Sequence, residues 1–416
     1  MRSPPTSLLF LILFFVVCGC ASENDVDIPA HLEGLENLTV YQRPEHPDTL
    51  ILHREQVFGI TDSLLIDFVG SMAVDDSGRV YVTSGRPNGI KVFDPDGRYL
   101  TQIGREGRGP GEFVAAPGLN IISNQLYVVD YGAYRISIFS VDSLKLIRTV
   151  NINLTNKIKA LADYAVHQII PDKNGAFLVC FKKILREVPD LPEGIKIDTL
   201  YRSYYPINKE GRLIPKQVLR IQDQPVVTES IYQNVFPASF NFFSKPLVVV
   251  SNNGSIYTAN SKDFLIKEYS PDGEYRRAFF HPYHNVSLTR EIVLESNYDI
   301  MSKLISRGGI SENMSQTMIN SRLRLLRQID LPPNWPALND LLVDDENRLW
   351  LSTIVNDQTV YQWWVLDENG KLLAGFQWPR SKAIKIIKNG CVYTEETNKK
   401  TGLERVVRYK IAMSKG

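Results

Sequence analysis

The stretch VDDSGRVYV, Val74–Val82, returns 269 residues later as VDDENRLWL, Val343–Leu351. Both read apolar, Asp, Asp, two turn-forming residues, Arg, apolar, aromatic, apolar. With the aromatic as marker, weaker copies appear as NQLYVVD (Tyr127), KNGAFLVCF (Phe177), NNGSIYTAN (Tyr257) and KNGCVYTEE (Tyr393). Together with Tyr81 and Trp350 they make six, at successive intervals of 46, 50, 80, 93 and 43 residues. Three intervals fit a four-stranded repeat of roughly 40–50 residues. The other two require insertions.

Each phrase reads as a hairpin. In SMAVDDSGRVYVTS an apolar run turns at Asp-Ser-Gly and leaves as the β-rich Val80-Tyr81-Val82, with Asp and Gly supplying the turn chemistry. A second hairpin follows in IKVFDPDGRYLTQI, IKEYSPDGEYRRAFF, WWVLDENGKLLAGF and YYPINKEGRLIPKQV. Pro95 and Pro271 preset φ at the first turn position, and Gly97, Gly273, Gly370 and Gly211 take the later left-handed slot. Two hairpins make four antiparallel strands, and such a sheet alone leaves an apolar face in water. Copies stacked around an axis bury both faces. The sequence therefore predicts an all-β fold, a six-bladed β-propeller over residues 36–416.

Between Lys182 and Leu200, KKILREVPDLPEGIKIDT predicts a lengthened hairpin loop. Between His281 and Pro336, SLTREIVLESNYDIMSKLISR spaces Ile292, Leu294, Tyr298, Met301, Leu304 and Ile305 at helical intervals. Gly308-Gly309 ends that pattern and SENMSQTMINSRLRLLRQI starts a second, so a helical hairpin over about 286–335 is expected between blades four and five. It reads as a structural clip over one face, or as a lid for a partner. The last repeat has three strands, AIKII, CVYTEE and LERVVRYKI, while DTLILHREQVFG, Asp48–Gly59, has no unit of its own. That segment is expected to supply the outermost strand of the final blade and close the ring.

Net charge is +1, from 47 basic and 46 acidic residues, which points to no nucleic-acid partner and no polybasic membrane patch. The first twenty residues, MRSPPTSLLFLILFFVVCGC, hold one basic residue and ten apolar ones, Leu8–Val17, the pattern of a signal-peptide core. Their end, Val17-Cys18-Gly19-Cys20, resembles the bacterial lipoprotein box. The resemblance implies a signal peptide over 1–19, lipidation of Cys20 with further acylation of its amine, and a tether over 20–35; such a set of chains anchors stably. Ala21, where inner-membrane retention is associated with Asp, favours the outer membrane, and the acidic Glu23–Asp27 stretch loosely resembles a surface-export signal. Cys180 and Cys391 remain, both on expected strands, and read as buried thiols; no Cys/His ladder has metal spacing, and no cofactor is implied.

Ile103–Val150 resembles an NHL repeat through Gly111-Glu112-Phe113, Pro117, Tyr127–Asp130 and Arg135–Phe139. The whole layout resembles the six-bladed propeller lipoproteins of Bacteroidetes-like bacteria, which implies a fold and an address more than a chemistry. The loop GREGRGPGEF lacks Gly-Lys-Ser/Thr and opens no helix, so it is neither a P-loop nor a dinucleotide loop. It reads as a blade crossover, and in the functional reading Arg105 and Arg108 offer guanidinium forks to an anion at the channel mouth. His281 and His284, in HPYH, complete the candidate ligand-binding set. No Gly-x-Ser-x-Gly or His-Glu-x-x-His occurs, and Asp75, Asp76, Asp344 and Asp345 fall on turns, where carboxylates usually serve the local backbone. The reading is a non-catalytic binding or scaffolding propeller with an envelope protein or glycan partner. The alternative is a metal-dependent hydrolase or lyase of the lactonase or amidating-lyase type, with ligands from separate blades.

Overall fold

The computed structural model describes residues 28–42, 48–61, 64–66, 68–84, 89–115, 117–154, 158–184, 194–231, 234–296 and 312–414. The leader, Cys20 and the first part of the tether lie outside them. The chain divides into Met1–Gly34 and Leu35–Gly416. In the first unit Ala30–Leu32 forms a 3₁₀ turn; the second carries every sheet and is a six-bladed β-propeller.

Blade 1 is Ser71–Val74, Val80–Thr83, Ile90–Phe93 and Tyr99–Ile103, and blade 2 is Gly118–Ile122, Gln125–Asp130, Arg135–Ser140 and Leu146–Asn151. Blade 3 is Tyr164–Pro171, Phe177–Lys183, Tyr201–Ile207 and Leu219–Gln222. Blade 4 is Pro246–Val250, Ile256–Asn260, Leu265–Tyr269 and Tyr275–Phe280. Blade 5 is Leu338–Val343, Leu349–Ile354, Val360–Leu366 and Leu372–Pro379. Blade 6 takes Lys382–Lys388, Cys391–Thr397 and Glu404–Ser414 from the C-terminal end of the chain. Its fourth strand is Asp48–Phe58, antiparallel to Glu404–Ser414 in a register running from Thr49↔Ser414 to Phe58↔Val406. The six marker aromatics all fall on second strands, and none is more than 3% exposed, so the repeated phrase marks the core of each blade.

Both faces of every blade are covered by its neighbours. Tyr81 with Leu126 packs blade 1 on blade 2, Tyr127 with Phe177 blade 2 on blade 3, and Tyr204 with Ile256 blade 3 on blade 4. Tyr257 with Leu351 joins blades 4 and 5, Trp350 with Tyr409 blades 5 and 6, and Phe58, Val82 and Tyr393 close blade 6 on blade 1. The 3/4 core is the smallest. There buried Asp223 accepts from Arg202 Nε at 2.8 Å and faces Lys182 Nζ at 3.1 Å; charges are tolerated at such depth because they are paired.

The repeated phrase is a turn held from inside. Asp75 accepts from the Arg79 amide (2.9 Å), Arg79 Nε (2.6 Å), Ser77 Oγ (2.7 Å) and the Tyr81 hydroxyl (3.0 Å). Asp344 accepts from the Arg348 amide (2.8 Å), Arg348 Nε (2.7 Å), the Glu346 amide (3.0 Å) and Trp350 Nε1 (2.8 Å). Asp, Arg four residues on and the aromatic six residues on are thus one hydrogen-bonded unit. In the second hairpins, Gly97, Gly211, Gly273 and Gly370 have φ of 81°, 85°, 84° and 87°. Each also packs on the outer strand of the preceding blade or the residue just before it: a Cβ on Gly97 would lie 2.7 Å from Val57 O, and one on Gly273 2.8 Å from the Val218 carbonyl carbon. Left-handed backbone and close approach both demand glycine there.

Three additions to the ring differ from expectation or extend it. The lengthened loop of blade 3 contains a strand, Gly194–Asp198, which pairs with Val226–Ile231, and that with Asn234–Ala238, in a separate three-stranded sheet. A loop alone was expected; the strand forms because the blade 3–4 crossover offers it an open edge. Leu38–Val40 adds a fifth, parallel strand to blade 4 beside Tyr275–Phe280. Between blades 4 and 5 residues 290–296 are helical and a second helix covers Glu312–Gln328; 297–311, with Gly308-Gly309, lie outside the described residues. Val293, Leu325, Leu326 and Ile329 of this insertion pack with Phe240, Phe242, Trp335 and Ile354 in a core of their own.

Candidate functional site

Strands alternate in direction, so first-to-second and third-to-fourth hairpins lie on one face of the ring, the turn face. Second-to-third loops and blade-to-blade crossovers lie on the other, the crossover face. The two hairpin carboxylates of each repeated phrase are occupied on the turn face. The first is caged as described. For Asp75 burial raises the pKa, and the bonds from Ser77, Arg79 and Tyr81 outweigh it, leaving the carboxyl below its usual 3.8.

The second carboxylates link blades. Lys388 Nζ meets Asp76 at 2.7 Å, and the Asn389 amide donates to Asp345 at 2.8 Å while its side chain donates to the carbonyls of Asp75 (3.2 Å) and Asp76 (3.3 Å). The Asn252 amide donates to Asn347 Oδ1 at 2.9 Å and its side chain to Asp345 O at 3.1 Å. The hairpins of blades 4, 5, 6 and 1 are therefore strung together.

The lengthened loop of blade 3 and the enlarged 3–4 and 4–5 crossovers all fall on the crossover face, whereas Leu38–Val40 lies along the outer edge of blade 4. Under the helix Glu312–Gln328, where the inner strands of blades 4 and 5 begin, lies a cleft of about 250 Å³. Phe240, Pro336, Leu338 and Ile354 give it apolar walls, and Ser239, Asn241, Lys245 and Asn339 bring polar groups to it. Arg322 reaches in from the helix, its Nη2 donating to Ser239 O at 2.6 Å and its guanidinium 4.2 Å over the Phe240 ring; burial lowers its pKa. Phe240 also stacks on Phe242, 5.2 Å between centroids. Gln224 Nε2 donates to the carbonyls of Phe240 (2.6 Å) and Phe243 (3.2 Å), which fixes the loop that carries Ser239 and Asn241.

The four residues singled out in the sequence do not meet. Arg105 and Arg108 lie on the blade 1–2 crossover, exposed. Arg105 Nε binds Glu112 Oε1 at 2.8 Å, and the Arg108 carbonyl accepts from Arg135 Nη1 at 2.6 Å. Asp130, the last residue of the NHL-like Tyr127–Asp130, accepts from the Val114 amide at 2.9 Å, so Asp130 and Arg135 hold the glycine-rich crossover against blade 2. His281 is 1% exposed at the end of blade 4's outer strand, its ring stacked on Tyr41 with centroids 5.1 Å apart and Nε2 2.8 Å from Gly370 O. His284 is exposed beyond it. Among the described residues no group of three or more His, Cys, Asp or Glu is placed to hold a metal ion. Cys180 and Cys391 are free, buried thiols. Sequence reading missed Asn241, Lys245 and Arg322; the available signal was FPASFNFFSKP, Phe236–Pro246, an aromatic run ending in a lysine.

The architecture defines a six-bladed β-propeller with its insertions gathered on the crossover face. A family described as "DUF5128: 6-bladed beta-propeller" matches residues 60–169, from the crossover into blade 1 through the first strand of blade 3. A Bacteroides vulgatus member of the DUF4221 family is 10% identical, with 89% of this chain and all of that one aligned at a TM-score of 0.50, a likeness of fold. A Bacteroides fragilis protein described as exported aligns over 91% of this chain and all of its own, at 12% identity and a TM-score of 0.46. A virginiamycin B lyase of Staphylococcus aureus aligns over 87% of this chain and all of its own, at 10% identity and 0.38. No curated protein matches the sequence. No helix among the described residues is long and apolar enough to cross a membrane.

Proposed function

We propose that this protein is an envelope lipoprotein, anchored through Cys20, that binds a protein or glycan partner through its crossover face. One observation carries the binding reading: the lengthened loop of blade 3 and the enlarged 3–4 and 4–5 crossovers all fall on that face, and the two crossovers build a cleft there with cationic and amide side chains. Extra chain that served only closure would strengthen blade contacts on either face. The repeated-phrase carboxylates Asp75, Asp76, Asp344 and Asp345 on the turn face are engaged in holding the ring, which favours binding over carboxylate chemistry by them. The anchor is supported by Val17-Cys18-Gly19-Cys20 after the apolar run Leu8–Val17.

Two measurements test this. Photo-crosslinking residues placed at exposed Asn356 on the crossover face and exposed Asp272 on the turn face should differ. Asn356 is expected to capture an envelope component and Asp272 none; equal capture, or capture from Asp272 alone, refutes the assignment of the face. Metabolic labelling with a palmitate analogue should mark the native chain and not Cys20→Ala; label retained in the variant refutes the anchor.

A further inference from the structure

We propose that the cleft beneath the helix Glu312–Gln328 binds one residue of an acidic sugar, a pyranose bearing a carboxylate, either free or at the end of a glycan. This deepens the reading of the crossover face as a binding surface and rests on it. The lining holds two cations, Lys245 and Arg322, and no carboxylate. Lys245 is half-buried where blade 4 begins; its backbone is tied to Ser261 Oγ at 2.8 Å, and among the described residues its ammonium meets no acid. An ammonium held in a partly enclosed site without a counter-ion favours an anionic ligand.

The type of anion follows from the cations. Arg322 already gives Nη2 to Ser239 O and lies flat over Phe240, so its fork is not presented bidentately to a carboxylate or a phosphate, and Lys245 is left to take the anion. One ammonium at Lys245 balances the single charge of a carboxylate more closely than the roughly −1.5 to −2 of a phosphate monoester. The remaining polar groups are neutral. The Asn241 amide and Ser239 hydroxyl have no hydrogen-bond partner among the described residues, and Asn339, whose Nδ2 donates to Asp340 at 2.7 Å, keeps Oδ1 as an acceptor. Separate donors and acceptors opposite an apolar wall of Pro336 and Leu338 match the hydroxyl edge and C–H face of a sugar ring. The Phe240 ring is already engaged by Arg322 and Phe242, so it serves as a wall of the site. At about 250 Å³ the cleft is smaller than a drug-sized site of roughly 300–1,000 Å³ and suits a single ring.

The test is calorimetric titration of the full chain in mild detergent with galacturonate, with galactose, and with a tripeptide whose only anion is its C-terminal carboxylate. Saturable galacturonate binding is expected, at least about tenfold weaker for galactose and for the tripeptide, and weakened by salt. Lys245→Gln is expected to weaken galacturonate binding about tenfold with unchanged melting temperature. Should that variant fail to fold, Asn241→Ala, in an exposed loop position, is read instead and is expected to weaken binding in the same direction. Absence of saturation at millimolar galacturonate, equal affinity for galactose, or indifference to these substitutions overturns the proposal. A tripeptide that binds as tightly as galacturonate overturns the sugar assignment. A failed titration alongside a crosslink from Asn356 removes the acidic-sugar site alone, whereas loss of both removes the binding face as well.

Discussion

Phe58→Ala tests whether the ring is one cooperative unit. Phe58 ends the strand Asp48–Phe58, is fully buried, and lies 6.4 Å from both the Phe93 ring of blade 1 and the Tyr393 ring of blade 6. Truncating a buried Phe to Ala costs about 3–5 kcal/mol, a large share of a typical stability of about 5–15 kcal/mol. The five tryptophans, Trp335, Trp350, Trp363, Trp364 and Trp378, lie on blade 5 or just before it, so fluorescence reports on a blade that the substitution does not touch. Far-ultraviolet circular dichroism reports on all six. Closure by the N-terminal strand predicts that in urea both midpoints fall together, in a single transition, by the equivalent of about 3–5 kcal/mol. Ile147→Ala, on an exposed outer-strand residue of blade 2, should move neither by more than about 0.5 kcal/mol. A fluorescence midpoint that stays put while dichroism shows an early partial phase would mean that the strand frays alone, and the closure argument would fail.

Gly273→Ala should destabilise far more than Gly402→Ala, because both have positive φ but only Gly273 abuts a neighbouring backbone, while nothing lies within 4 Å of Gly402; thermal melts should show about 1–2 kcal/mol for Gly402→Ala and clearly more for Gly273→Ala. Asp75→Asn should lower the melting temperature at neutral pH. Because the folded carboxyl titrates below its ordinary 3.8, its stabilisation is present above that value and is lost as pH falls through the folded pKa, so the two proteins should converge below pH 3.8. Burial pushes the Cys180 thiol up to about 11 and raises that of Cys391. In a chain carrying Cys18→Ser and Cys20→Ser, a thiol reagent at pH 8 should therefore label neither site until denaturant is added; labelling in the native state would refute their burial.

The repeat was legible because the core and the turn write the same letters. Tyr81, Trp350 and their counterparts must be buried on second strands, and Asp75 and Asp344 must reach the Arg and aromatic that follow them, so the phrase survives wherever the cage does. The closing strand was legible through arithmetic, since blade 6 lacks a strand and Asp48–Gly59 lacks a blade. Leu38–Val40 was not legible, being three residues whose strand partner, Tyr275–Phe280, is remote in sequence. The sheet of Gly194–Asp198 with Val226–Ala238 escaped for a related reason: its strands come from two different insertions and share no local turn signal. The cleft was hidden most completely, because Asn241, Lys245, Arg322 and Asn339 carry no spacing rule and converge only through the ring. His281 misled in the opposite direction. A histidine beside a proline looked available, yet the ring needs its imidazole between Tyr41, Phe264 and Gly370.

The division of labour between the faces has a physical origin. On the turn face a hairpin is fixed twice over: its Asp must satisfy an inward cage, and in four blades its partner hairpin must bring a glycine against the preceding blade's outer strand. An inserted residue there would shift both registers and break contacts between blades as well as within one. A crossover has only to span from an outer strand to the next inner one, and added chain at that end can fold on itself, as Val293, Leu325 and Leu326 do with Phe240 and Trp335. Closure entropy grows slowly with loop length, so long crossovers cost the ring little. Variation in what such a propeller binds is therefore confined by mechanics to the crossover face, and Lys245 and Arg322 stand on the two crossovers that have grown most.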